Sequence, residues 1–190
     1  MDIFELSRQR RTIRSFVQRE IPEESLRKLI DAARMSSCAS NMQRLRYMVI
    51  RKKDILEKLF PLTAWAGRVK PKRTPVWGEN SPAVFIAVIS NDGNNPLLHA
   101  DAGAAIQTIQ LAAWEIGIGC CWIGSFDHEK SAELLNISGS QQILYLIALG
   151  YPAENPVSEN AIGGETKYYL DDNNILHVPK LSVDEITVWS

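Results

Sequence analysis

Residues 83–89, AVFIAVI, are apolar without a break and rich in β-branched side chains. Side chains alternate across a strand, so a run this short with no polar position reads as a strand covered on both faces. A second continuous apolar run, 143–149, ends at Gly150-Tyr151-Pro152. Such strands need helices above and below them, and the segment 101–116 supplies the clearest. There Ala102, Ala105, Ile106, Ile109, Ala112, Ala113 and Ile116 follow the 3.6-residue repeat. Gly103, Ala104, Ala105, Ala112 and Ala113 are small enough to let another backbone come close. That helix is therefore central in the fold or central in a dimer.

The remaining elements follow from caps and breakers. Asp2 and Glu5 form a capping box for a short opening helix. Pro22, Glu23 and Glu24 open another, with Leu26, Leu29, Ile30 and Ala33 on one face. Residues 47–50 read as a strand. Asp54 is expected to cap a helix reaching Leu59, with Pro61 ending it. Gly117-Ile118-Gly119 stops the long helix before a strand at 120–123, and Asp127 caps a helix through Leu135. Residues 61–82 hold four prolines and the basic Arg68, Lys70, Lys72 and Arg73, which suits either a solvated loop or a binding lid. Residues 151–190 turn polar, with a turn at 171–174 and apolar fragments only at 176–178 and 186–189. This stretch is expected to wrap around the main body or a partner. The layout is α+β, a single domain over 1–190 with an extended arm over 150–190.

Charge and composition exclude several classes. Lys plus Arg is 21 and Asp plus Glu is 22, so the net charge of −1 gives no electrostatic case for nucleic acid or a membrane surface. The start, MDIFELSRQRR, lacks a signal-peptide pattern, and no apolar run approaches the ~20 residues of a membrane span. Three cysteines, Cys38, Cys120 and Cys121, make no disulfide framework, which points to a reducing, cytoplasmic setting. His99, His128 and His177 lack ligand spacing, so no metal site is expected.

Three segments carry chemistry. Arg10-Arg11-Thr12-Ile13-Arg14-Ser15-Phe16 gathers guanidinium forks and hydroxyls that suit an anion such as phosphate; the alternative is a solvated basic turn. Ser36-Ser37-Cys38-Ala39-Ser40-Asn41-Met42-Gln43 ends in two amides two residues apart. On extended backbone Asn41 and Gln43 would point the same way and address one planar heterocycle, although a plain loop would also be small and polar. Gly117 to Phe126, GIGCCWIGSF, offers glycines for close approach of a ligand. It is no dinucleotide fingerprint, because it follows a helix and precedes a strand. Its paired cysteines read as small strand residues more readily than as a redox pair.

Taken in order, RRTIRSF, SSCASNMQ, DAGAAIQTIQLAA, GIGCCWIGSF and the LGYP closing the last core strand resemble the nitroreductase family of FMN-dependent oxidoreductases. The resemblance implies a mixed, mostly antiparallel sheet flanked by helices, in a homodimer whose C-terminal tail reaches over the partner subunit. It implies that Arg10 and Thr12 face the FMN phosphate and that Arg14 sits near flavin N1 and O2. Arg11 then offers main-chain or ribityl contacts. Ser37, Cys38, Ala39, Asn41 and Gln43 would close the pocket from the other subunit. Trp122, Ile123, Gly124 and Ser125 would lie against the isoalloxazine, with a main-chain N–H near N5. Lys180, or else Lys167, would complete the phosphate site.

The same resemblance implies that the flavin carries the hydride and that the protein supplies no catalytic acid or base. NAD(P)H would be the reductant and a nitroaromatic or quinone the acceptor, in a ping-pong reaction. Trp65 and Trp77 are either walls for that acceptor or ordinary loop packing. Two alternatives keep the flavin: a dehydrogenase or dehalogenase of other specificity, and an FMN storage or sensing protein. Arg44-Leu45 stands where many members continue Pro-Trp, and Gly124 where many carry glutamate.

Overall fold

The computed structural model describes residues 2–91 and 95–190. Its centre is a five-stranded sheet of β1 (Phe16–Val17), β2 (Arg46–Ile50), β3 (Val84–Ser90), β4 (Gly119–Ile123) and β5 (Gln142–Pro152). The order is β1-β5-β3-β2 with β4 also paired to β5, and every pair is antiparallel. Parallel pairing occurs at the bridge between Thr12 and Cys120 and in a small second sheet. The α+β architecture expected from the sequence is therefore the one observed.

Burial explains the layering. All seven residues of β3 are buried. Val84, Ile86 and Val88 pack with α2 (Glu23–Arg34) and α4 (Leu98–Glu115) on one face. Phe85, Ala87 and Ile89 pack on the other with α3 (Lys53–Leu59) and with Trp65 and Leu135. Each fully buried Ile, Leu or Phe contributes roughly 1.5–3 kcal/mol, so a strand used on both faces anchors two cores at once. Cys120 and Cys121 belong one to each core, are both free thiols, and cannot meet. Burial pushes the Cys121 thiol up to about 11 and Cys120 higher still, so both stay protonated. They are strand residues, not a redox pair.

Gly119 and Gly150 face each other across β4 and β5 and form a notch in the sheet. A Cβ on Gly119 would lie 2.7 Å from the Ile13 side chain, and one on Gly150 would lie 2.6 Å from the Phe16 ring. Ile13 and Phe16 are fully buried in that notch, and the Ile13 N–H donates to the Cys120 carbonyl at 2.9 Å. The room at Gly119 thus goes to Ile13 and not to a ligand, contrary to the sequence expectation. The notch fixes the path of the arginine-rich segment.

Several element ends differ from expectation. The opening helix α1 (Ile3–Gln9) is capped by Asp2, which accepts the Glu5 N–H at 2.8 Å, and α5 (His128–Leu134) is capped by Asp127. Asp54, by contrast, sits inside the first turn of α3, where its charge favours the positive helix end; Lys52 holds the cap position. β5 runs through Gly150 to Pro152, because residues 151–152 pair with β1. The polar arm folds β6 (Val157–Asn160), β7 (Tyr169–Leu170) and β8 (Leu176–Lys180) into a three-stranded sheet, followed by α6 (Val183–Ile186). It docks on the main body where Arg11 donates to Ser158 Oγ at 3.0 Å, while Ile186, Val188 and Trp189 stay exposed. Among the described residues no helix is long and apolar enough to cross a membrane.

One histidine ties this small sheet together. His177 Nδ1 lies 2.7 Å from Glu159 and Nε2 lies 3.4 Å from Asp171, with the Tyr169 ring stacked on the imidazole. The bond to Glu159, helped by Asp171, holds the His177 pKa above its ordinary value. A pKa raised by folding means that stability from this group is fully present below the unfolded value of about 6.5 and disappears as pH rises through the folded value. Glu159, held low first by its bond to His177, acts oppositely and only at more acid pH. The thermal midpoint of wild type should therefore exceed that of His177→Gln near about pH 6 and converge with it by about pH 9. A gap that widened toward alkaline pH would contradict the bridge.

Candidate active site

The first and third chemical segments meet. Arg14 lines a cavity of about 340 Å³ together with Cys121, Trp122, Ile123, Gly124 and Ser125. The opposite wall is Ala64, Trp65, Ala66, Gly67 and Lys70 from the proline-rich loop, held by the Ala64 N–H donating to Ser125 O at 2.9 Å. The volume is within the range of sites that hold a flat ring. Trp65 is thus a wall of the cavity, with its indole N–H donating to Thr63 at 2.8 Å, whereas Trp77 packs against Phe60 in the core. Lys70 is a cavity residue that sequence reasoning noted only as part of a basic run.

The arginines are not equivalent. Arg10 is partly buried, and its Nε is a buried donor with no hydrogen-bond partner. Burial holds its pKa below the usual value, but a guanidinium remains charged in proteins, so an anion at this position would relieve an unpaired cation. The Arg11 side chain is committed within the protein, donating to the Arg8 carbonyl and to Ser158. The Arg14 guanidinium lies 5.6 Å from the Tyr168 ring centroid, a cation–π contact that orients it at the cavity. Thr12 bridges Cys120 on β4.

The second segment lies elsewhere. Ser37, Cys38, Asn41 and Gln43 border a separate surface hollow of about 470 Å³ that shares no lining residue with the first cavity. The Ala39 N–H donates to the buried Asp101 of α4 at 2.9 Å, and Gln43 N–H points to Cys38 Sγ at 3.4 Å. The backbone is not extended: Ala39–Asn41 is a 3₁₀ turn, and Ser40, Asn41 and Gln43 have φ of 51°, 50° and 48°. The premise that two amides project side by side from a strand therefore fails, because left-handed residues reverse the chain between them. Arg44, where Pro-Trp was common, reaches within 4.0 Å of Asp101.

The two lysines also separate. Lys180 ends β8 opposite Asn160, two positions beyond the rung that pairs Val178 with Ser158, the partner of Arg11. Lys167 is an exposed residue paired with Glu165 at 3.4 Å, next to Tyr168.

The sequence matches the model described as "Nitroreductase family" over residues 7–151. This chain belongs to the nitroreductase family. It is 33% identical over 161 residues to a protein of Methanothermobacter thermautotrophicus named "Putative NADH dehydrogenase/NAD(P)H nitroreductase", covering 82% of this chain and 80% of that one. A solved structure from Desulfovibrio desulfuricans, "a putative nitroreductase in complex with fmn", superposes with a TM-score of 0.69 at 26% identity, covering 86% and 93% of the two chains. A nitroreductase family protein of Streptococcus pneumoniae shares the fold over 100% of both chains, with a TM-score of 0.71 at 20% identity. As a member of this family the chain is an oxidoreductase.

Proposed function

We propose that this protein is an FMN-dependent oxidoreductase that takes reducing equivalents from NAD(P)H and passes them to a nitroaromatic, a quinone or a similar acceptor. The observation that carries the reading is the convergence of Arg14, the β4 end and the proline-rich loop on one cavity, with a buried donor of Arg10, earlier on the same segment, lacking a partner. These residues suit FMN. Arg10 and Thr12 would meet the phosphate, with Lys180 better placed than Lys167 to complete it. Trp122 to Ser125 and Trp65 would border the ring, and Arg14 would face its pyrimidine edge. The Desulfovibrio relative holding FMN supports the same cofactor.

Bound FMN would supply two-electron chemistry, accepting hydride at N5 from the nicotinamide and releasing it to the acceptor in a ping-pong sequence. The chain's own contribution is electrostatic. A cation at the pyrimidine edge favours the form that carries negative charge, which is the differential stabilisation that raises a rate. For a nitro group the balance is R–NO2 plus NAD(P)H plus H+ giving R–NO, NAD(P)+ and water.

Residues 1–190 act as one FMN-binding domain in a cytoplasmic homodimer. In it, Ser37, Cys38, Ala39, Asn41 and Gln43 close the partner's pocket, and the exposed end of the 150–190 arm, beyond β8, reaches across. Placement of that segment on a surface away from its own chain's cavity supports this division. Purified protein should be yellow and should bleach on anaerobic addition of NADH or NADPH. A protein that stays colourless after soaking with FMN would overturn the reading, and a flavin that no nicotinamide bleaches would leave storage or sensing instead.

A further inference from the structure

Glu154 lies two residues beyond β5, and its side chain is 4% exposed, yet it is a carboxylate. Three groups from two separate parts of the chain meet it. Its Oε1 accepts the main-chain N–H of Arg14 and that of Ser15, the latter at 3.1 Å. Its Oε2 lies 3.1 Å from Nε of Arg73, itself only 13% exposed. That contact is off-line for a hydrogen bond, so charge holds it. Arg73 belongs to the loop whose earlier residues line the cavity, and its other end donates to the carbonyl of Asn174, in the turn between β7 and β8. One buried carboxylate thus joins the arginine segment, the cavity loop and the C-terminal arm.

A purely structural ion pair would need no contact with the site's main chain. Here the two amides accepted by Glu154 belong to the residue that faces the cavity and to its neighbour. With its side chain largely removed from solvent, the carboxylate is strongly unfavourable unless these donors stay in place, so its charge enforces their geometry. We infer that Glu154 is a positioning residue of the active site, fixing the backbone of Arg14 and, through Arg73, holding the loop 63–82 closed as the opposite wall. The inference rests on the FMN reading for its ligand but not for the clamp itself.

The test uses the full chain with Glu154→Gln and with the double variant Arg73→Met plus Glu154→Met. Glu154→Gln keeps the shape and an amide oxygen that accepts from Arg14 and Ser15, but removes the charge that faces Arg73. It should weaken FMN binding by about tenfold or more, and amide exchange across 64–74 should quicken by about tenfold or more, because the charge that holds Arg73 is gone. Exchange in β3 and β5 should not change. The double variant leaves no buried charge unpaired, so its thermal midpoint should recover relative to Glu154→Gln. FMN affinity should stay low, and protection at Arg14 and Ser15 should fall by about tenfold or more, because methionine leaves their N–H groups without the carboxylate acceptor.

Recovery of FMN affinity together with the thermal midpoint would reduce Glu154 to a structural role and overturn the inference, as would unchanged affinity and exchange in Glu154→Gln. If wild type takes up no FMN, the proposed function falls. The exchange measurement on the protein alone then still decides the clamp.

Discussion

Arg10→Ala is expected to purify as a folded protein that has lost most of its FMN. The lost contact would be a charge-assisted hydrogen bond from a partly buried guanidinium, worth roughly 1.5–3 kcal/mol, or about 10- to 150-fold in Kd. Its Nε has no partner within the chain, so alanine breaks no hydrogen bond of that atom in the apoprotein. The thermal midpoint of the apoprotein should hold or rise, since a desolvated cation is gone. Arg14→Ala should behave differently. The main-chain bond from residue 14 to Glu154 survives the substitution, which keeps the backbone in place. Reduction by NAD(P)H should slow by about 100-fold while FMN affinity changes by less than about tenfold. Fluorescence titration and stopped-flow bleaching separate the two effects. If both variants lost affinity and rate in the same proportion, the division between anchoring and tuning would be wrong.

Gly150→Ala should have the largest effect on stability. The added Cβ would sit 2.6 Å from Phe16 Cδ1, 2.8 Å from Cγ and 2.9 Å from Cβ. Phe16 is 1% exposed and has no space into which its ring can retreat. Overpacking of this kind costs about 1–3 kcal/mol, or roughly 2–12 °C in Tm for a chain of this size. Gly119→Ala, against Ile13 at 2.7 Å, should lose a similar amount. Gly124→Ala is the control: its nearest neighbour would be Tyr145 at 3.6 Å, an ordinary contact, and Tm should move by about 1–2 °C at most. Equal losses at all three positions would mean that glycine matters for reasons other than space.

The strongest sequence signals were those in which one physical cause dominates. β3 and β5 are legible because a strand buried on both faces cannot carry polar residues, and α4 because its apolar repeat is long. Asp2 and Asp127 show as caps because a short acid precedes an apolar pattern. Val157–Asn160, in contrast, reads VSEN and has no alternation, since the small sheet is built by pairing and by the His177 bridge instead of by a core. The arginine segment and the β4 end were recognisable as chemistry. The left-handed turn at 40–43 was not, because Ser, Asn and Gln adopt it without a glycine to announce it. Glu154 and Arg73 left no local trace, since their meaning arises only when residues more than eighty apart in the chain come together. The acid just after the closing LGYP was the one available hint.

The glycine notch has a consequence for how such a protein can change. Ile13 and Phe16 secure the peptide from beneath, so the side chains at positions 10, 12 and 14 can be exchanged without shifting its course. Ligand preference and chain path are then separately adjustable: the former by swapping half-buried side chains, the latter forbidden to vary by two missing methyls.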